Sequence, residues 1–428
     1  MTVSFYTLGC KVNQYETQCM AELFERAGYT VVGNEIPADV FVINSCTVTA
    51  ESDRKSRQML RRFRKKNPSA VTVLTGCMPQ AFSRESAALL EADIVAGNTS
   101  PADIPNLVAR FLSNGERIVE VGEHTRDEKF NTPSITSFGE HTRAFMKIED
   151  GCDRYCTYCI IPTARGAIRS KPIESIRQEA RTLADNGFCE VVLVGINLTS
   201  FGRDTGHTLC DAVDAVAAAE GIKRIRLGSL EPDHMSDEML KRLSLEKKFC
   251  PQFHLSLQSG SDKTLKRMNR HYDSAFYMDL VNRIRNTFKN SSITTDVMVG
   301  FAGEDETEFL ENLEFVKKVG FAKTHVFAYS RRAGTVAHAL PCQVPKAEKE
   351  KRSREMIKAA SLCEQEFLKT QISLETNVLF ETAHNNIYSG YTENYTCVKV
   401  ESDTNLCGKI IKVRLTVAND GYCIGELE

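Results

Sequence analysis

The chain has no tryptophan, no run of about 18 apolar residues, no basic leader and almost no net charge. Without a long apolar run no membrane span is expected. Met1-Thr2-Val3-Ser4-Phe5-Tyr6 reads as the start of a strand, not as a signal peptide. With 54 basic and 56 acidic side chains, overall charge does not announce a nucleic-acid partner, so any such surface must be local. The missing tryptophan excludes nothing. Cysteine is what the chain has in quantity. Fifteen of them without a secretion signal predict reduced thiols or metal ligands in a cytoplasmic protein, not disulfides. A length of 428 residues allows two or three domains with full cores.

Cys152, Cys156 and Cys159 lie in Gly151-Cys152-Asp153-Arg154-Tyr155-Cys156-Thr157-Tyr158-Cys159, spaced C-x3-C-x2-C. A four-iron cluster normally takes four protein thiolates. This loop offers three, which leaves one iron open to a small ligand. Tetrahedral zinc is the competing reading, but it usually takes four ligands in two short pairs, and no second pair follows. The spacing resembles that of the radical S-adenosylmethionine (SAM) enzymes. The resemblance implies a [4Fe-4S] cluster whose open iron chelates SAM and reduces it to give a 5′-deoxyadenosyl radical.

Three more cysteines stand at strand ends. Val3 to Leu8 ends in Gly9-Cys10, Val40 to Asn44 in Ser45-Cys46, and Val71 to Thr75 in Gly76-Cys77. Each run is β-branched or aromatic, and helical segments separate them, which predicts an open parallel α/β sheet. A fourth run, Ala92 to Gly97, adds a strand. Ligands of such sheets bind beyond the carboxyl ends of the strands. One cysteine there is commonly structural; three at one topological position suggest a second three-thiolate cluster. Thr7-Leu8-Gly9-Cys10-Lys11-Val12-Asn13-Gln14-Tyr15-Glu16-Thr17, Asn44-Ser45-Cys46-Thr47-Val48-Thr49 and Thr75-Gly76-Cys77-Met78-Pro79-Gln80 resemble the cysteine motifs of the radical-SAM methylthiotransferases. The similarity runs the length of the chain and includes Ile160-Ile161-Pro162-Thr163-Ala164-Arg165-Gly166.

From Arg143 to Arg332 six strands alternate with helices, which predicts a partial (β/α)6 barrel. Barrels of this kind place their chemistry at the carboxyl ends of the strands. By resemblance, Tyr158, Asn197, Glu231, Gln258, Asp296 and Gly300 line the SAM cavity. Tyr158 is expected to pack on the adenine, and Gly300 and Gly303 to let backbone approach SAM. Ala302 and Ala333 replace prolines common in the family, with some loss of loop rigidity.

RNA binding is expected from Arg54 to Lys66, which carries eight basic residues and no acid, with Arg61, Arg62 and Arg64 at its centre. From Gln371 to Glu428 five short strands predict a small β-barrel resembling the RNA-binding TRAM domain. This segment holds four basic against eight acidic side chains, so shape and stacking on Tyr391, Tyr395 or Tyr422 are expected to replace charge. The expected domains are 1–120, 138–370 and 371–428. Within the family, the Cys10 motif, Leu265 to Arg270 and Tyr329 to Arg332 resemble the branch that acts on threonylcarbamoyladenosine at tRNA position 37. Its substrate bears a carboxylate that Arg331 or Arg332 is expected to pair. The resemblance implies two [4Fe-4S] clusters, SAM, tRNA, an electron donor such as flavodoxin or ferredoxin, and a sulfur donor. Isopentenyladenosine tRNA, a ribosomal protein, and a non-catalytic iron–sulfur RNA-binding or redox-sensing role are the alternatives.

Overall fold

The computed structural model describes residues 1–139 and 141–428. The first part is a sheet of β1 (Thr2–Thr7), β2 (Thr30–Val32), β3 (Val40–Ser45), β4 (Val71–Gly76), β5 (Ile94–Ala96) and β6 (Ile118–Glu120). The order is β2-β1-β3-β4-β5-β6, and every pair is parallel. Alternation along β3 explains why both faces are covered. Val40 and Val42 join Val3, Phe24 and Ile104 on one side, while Phe41 and Ile43 join Leu60 and Phe63 on the other. Sequence reading found four of these strands. The edge strands β2 and β6 are three residues each, too short to show a period.

The helix Ala50–Lys66 is well specified at both ends. Thr49 accepts a bond from the Ser52 amide, Glu51 and Asp53 occupy the first turn, and Arg64, Lys65 and Lys66 the last. Cap and charges all favour the helix dipole.

The central part contains β7 (Arg143–Lys147), an antiparallel pair β8 (Glu149–Asp150) and β9 (Arg169–Ser170), β10 (Glu190–Val194), β11 (Arg224–Leu227), β12 (Ser229–Leu230), β13 (Gln252–Leu255), β14 (Ser292–Val299) and β15 (Lys323–Ala328). Two parallel ladders, β11-β10-β7 and β12-β13-β14-β15, make an incomplete barrel. The ladder breaks at Gly228, and a single bridge between Ile225 and Phe249 links the halves. The helix Lys346–Thr370 runs along β15. Among the described residues no helix is long and apolar enough to cross a membrane.

The last part is a closed barrel of β16 (Glu375–His384), β17 (Ile387–Thr392), β18 (Cys397–Glu401), β20 (Tyr422–Leu427) and β19 (Ile410–Asn419), in that spatial order. It docks on the amino ends of the central strands. Arg224 donates to the carbonyls of Tyr391 (3.0 Å) and Asn377 (2.8 Å), Arg226 to that of Glu393 (2.9 Å), and Ser292 to that of Asn394 (2.5 Å). Tyr391 and Tyr395 stack on one another with ring centres 4.4 Å apart, and the Arg143 guanidinium lies 5.2 and 5.1 Å from them. Arg226 sits 4.7 Å from the Tyr395 ring. These two tyrosines plug the central barrel, which corrects the expectation that they stack on RNA bases.

Candidate active site

Cys10, Cys46 and Cys77 follow β1, β3 and β4, which are neighbours in the sheet. Gly9 has φ +109°, and a Cβ there would lie 2.8 Å from Cys46 Cβ. Only glycine permits that approach of the two cysteine loops. Asn13 ties them together by donating to Leu8 O (2.9 Å) and Ser45 O (3.0 Å). Asn44 donates in turn to Asn13 O (2.9 Å). Cys10 is exposed, whereas Cys46 and Cys77 are buried.

The second set sits on a loop held from below. Cys152 N donates to Gly166 O (3.0 Å), Thr157 N to Met268 O (3.0 Å), and Thr157 Oγ1 to Arg267 O (2.8 Å). Both sets are supplied with N–H donors aimed at sulfur. Arg165 Nε reaches Cys77 Sγ at 3.3 Å, Arg270 reaches Cys156 Sγ at 3.2 Å, and the Ile161 amide reaches Cys159 Sγ at 3.4 Å. Burial pushes the Cys77 and Cys159 thiols up to about 12, so these sulfurs become thiolates when a metal centre displaces their protons. Among the described residues no three His, Cys, Asp or Glu side chains converge at the spacing of a single ion. Three corners of a cubane need ligands set farther apart. Proximity within each set, glycine-permitted approach and N–H donors to sulfur fit an iron–sulfur centre.

A buried charge network joins the two sets. Arg165, fully buried, pairs with Glu16 and with Asp150 (3.2 Å) and donates to Asn13 Oδ1 (2.8 Å). Lys147 pairs with Glu16 (2.7 Å) and Asp150 (2.7 Å). Arg165 and Lys147 hold the Asp150 and Glu16 carboxyls below the usual carboxylate range despite their burial. Glu16 belongs to the first domain and the other three to the second. Sequence reading missed this network. Lys147, a lone charge inside the run Phe145-Met146-Lys147-Ile148, was the available signal. Glu149, beside the network, is pushed up to about 8 by burial and keeps one oxygen without a partner.

A cavity of about 640 Å³ occupies the open central barrel. Cys10 and Lys11 line it from the first domain, and Tyr391, Tyr395 and Cys397 from the last. Its lining is mixed: Gln252, His254, Thr294, Asp296 and His325 set polar groups among the apolar Val12, Val194, Leu227, Phe327 and Phe367. Lys11 is accessible to solvent, yet burial, then Arg143 and Arg226, hold its ammonium down to about 8.

Two family models match the chain: the uncharacterized protein family UPF0004 at residues 2–97 and the radical SAM superfamily at residues 146–316. The threonylcarbamoyladenosine tRNA methylthiotransferase MtaB of Bacillus subtilis (strain 168) is 37% identical, over 99% of this chain and 96% of its own length. The protein of the same name from Aquifex aeolicus (strain VF5) is 39% identical, over 96% of this chain and 100% of its own length. The chain belongs to the radical-SAM methylthiotransferases. A tRNA-2-methylthio-N(6)-dimethylallyladenosine synthase from Natranaerobius thermophilus is less similar, at 31% over 99% of this chain and 96% of its own length. The fold also matches a radical S-adenosylmethionine methyltransferase, TsrM, from Kitasatospora setae. There the TM-score is 0.55 at 12% identity, over 91% of this chain and 77% of that one. A radical SAM enzyme uses SAM and a [4Fe-4S] cluster, and Cys152, Cys156 and Cys159 lie within the matched region.

The other expected SAM residues of the methylthiotransferase divide in two. Asn197 reaches toward Cys152 Sγ (3.9 Å) and donates to Ser200 Oγ (2.7 Å). Glu231 pairs with Arg270, which also approaches the Tyr158 hydroxyl (3.5 Å); burial nevertheless keeps the Glu231 carboxyl above its usual range. Tyr158 meets Phe301 edge-on at 6.3 Å. Gln258 adopts φ +66° and donates through its amide to Asp296 O (2.9 Å). Gly300 has φ +69° in a turn that packs against the stem of Lys349 on the linker helix, and Gly303 faces Arg267.

Two arginine assignments, Arg332 and Arg64, also change. Arg332, buried, pairs with Asp53 (2.6 Å), donates to Thr47 and covers the Phe82 ring at 4.4 Å. It clamps the central barrel to the helix behind Cys46 and has no charge to spare for a substrate. Arg331 donates to His338 O (2.8 Å) from an exposed loop. Arg64 turns inward to Asp93 (2.5 Å), Thr72 (2.7 Å) and the carbonyls of Pro68, Ala70 and Glu91, so it holds strand ends together instead of RNA. Arg61 pairs with Glu91 (2.9 Å) and Arg62 with Glu35 (3.7 Å) at the surface. Lys55, Arg57 and Lys65 have no ion pair among the described residues, because the helix faces them outward.

Proposed function

We propose that this protein is the tRNA methylthiotransferase that converts C2–H of N6-threonylcarbamoyladenosine, at position 37, to C2–S–CH3. The observation that carries the substrate is the set of polar side chains, Lys11, Gln252, His254, Thr294 and His325, inside an otherwise largely apolar cavity that runs from Cys10 into the barrel. A threonylcarbamoyl group brings a urea, a hydroxyl and a carboxylate that can pair with them; an isopentenyl group would leave them without partners. The full-length relatives of the same name support this reading. An aromatic C–H is too weak an acid for a side-chain base, and a SAM-cleaving cluster supplies the radical chemistry it requires. Cys10, Cys46 and Cys77 would hold a second cluster that carries the sulfur. The reaction further needs an electron donor such as flavodoxin or ferredoxin and a sulfur donor, in the cytoplasm.

The chain's own residues set the geometry. Arg270 fixes Glu231 and Cys156 together, the Arg165 network fixes the spacing of the two cysteine sets, and the Tyr391–Tyr395 plug closes the cavity to water from beneath. The test is mass spectrometry of nucleosides after anaerobic reconstitution with SAM, reductant and sulfide. A methylthio product is expected on tRNA carrying threonylcarbamoyladenosine. Product only on isopentenyladenosine tRNA would move the protein to the sister branch.

RNA docking is assigned to the outward cations of the helix Ala50–Lys66. Replacing Lys55, Arg57 and Lys65 by glutamine should weaken tRNA binding and lower the salt dependence of affinity by about one per lost phosphate contact. Filter binding across a salt series measures this. Unchanged affinity would make the helix an ordinary solvated face. Arg64→Gln should instead lower stability.

A further inference from the structure

Three lysine and arginine side chains line the cavity, and two of them are neutralised. Arg226 pairs with Glu190 at 3.1 Å and Lys323 with Glu364 at 2.7 Å. Lys11 has no ion pair and no hydrogen bond among the described residues; its ammonium lies 5.6 Å from the centre of the Phe145 ring. Glu190, the carboxylate of this region, is already shared by Arg143 (3.7 Å), Arg224 (3.7 Å) and Arg226. Of the two acids that line the cavity, Glu364 is taken by Lys323 and Asp296 lies 3.5 Å from His254 Nε2. Lys11 cannot reposition freely. It opens the helix Lys11–Arg26, and its neighbour Val12 is packed against Val192 and Val194.

Lys11 is exposed in the free protein, so water satisfies its ammonium there; a ligand that fills the cavity and displaces that water must supply an anion in its place. The arrangement makes sense if the anion arrives with the ligand. We propose that Lys11 receives the carboxylate of the N6 substituent, and that this pair selects acidic N6 groups over apolar ones. The proposal rests on the function proposed above. It also replaces Arg332, whose charge is spent on Asp53. Because Lys11 follows Cys10 directly, the same contact that reads the substituent would orient the base relative to the first cysteine set.

The experiment measures affinity, without turnover, of the reconstituted protein for two anticodon stem-loops. One carries threonylcarbamoyladenosine and the other its threonine carboxamide, which is isosteric and uncharged. The wild type should bind the acid about 10- to 100-fold more tightly, the range for a hydrogen bond to a charged group. Lys11→Met should bind the two alike, and Lys11→Arg should restore a preference. Equal binding of both ligands by the wild type would overturn the proposal, and that arm needs no variant to fold. An unchanged preference in Lys11→Met would overturn it as well. If the wild type shows no preference yet makes the methylthio product, the function stands and Lys11 alone fails. If it makes no such product, both fail.

Discussion

Arg165→Met should lower unfolding free energy by about 3–5 kcal/mol, the range found when one partner of a buried ion pair is removed. The guanidinium is fully buried and touches Glu16, Asp150, Asn13 and Cys77. Without it, Glu16 keeps only Lys147, which Asp150 shares with it while Arg169 stands 3.4 Å from Asp150, and both carboxylates are buried. Urea denaturation followed by circular dichroism checks the size of the loss. Adding Glu16→Gln should recover part of it, because Asp150 then keeps Lys147 to itself. The methylthio product should not return in the double variant, since the link between the two cysteine sets stays broken. A loss under about 1 kcal/mol would mean that the network contributes little to holding the domains together.

Cys46→Ala should stop formation of the methylthio product while 5′-deoxyadenosine still appears. Iron content should fall by about half, as one of two four-iron clusters is lost. Cys156→Ala should remove both products. The contrast follows from which strands carry the sulfurs. Cys46 ends β3 in the first domain, while Cys156 sits in the loop that Arg270 and Thr157 fasten to the central barrel. Normal methylthio product from Cys46→Ala would remove the first cysteine set from the chemistry. Retained deoxyadenosine from Cys156→Ala would remove the second.

Cysteine positions were legible in the sequence because two patterns are visible in one dimension. A short spacing marks the central loop, and a strand ending in cysteine marks each member of the other set. Parallel pairing then sets β1, β3 and β4 side by side without further information. Charged side chains were not legible in the same way. Arg64, Arg165 and Arg332 look unpaired along the chain, yet each is turned inward, by Asp93 at 29 residues, Glu16 at 149 and Asp53 far earlier in the sequence, or by carbonyls at strand ends. Composition reports that a charge exists; only the fold reports whether another charge has consumed it. The same holds for Tyr391 and Tyr395, aromatic residues of a small barrel that face Arg143 and Arg226 instead of solvent. Gly300 shows the converse: the sequence marked a needed glycine, its φ of +69° agrees, and the fold adds a close approach to the Lys349 stem that no local pattern shows.

The ion pair between Glu16 and Arg165 spans 149 residues, which sets a schedule for synthesis. At about 5–20 residues per second, Glu16 leaves the ribosome roughly 7–30 s before its partner exists. During that interval β1, β3 and β4 can pair, since all three precede residue 77. The carboxyl edge bearing Cys10, Cys46 and Cys77 meanwhile stays open and hydrated. The first domain is therefore born with the edge that bears its three cysteines accessible and is covered only when the second arrives.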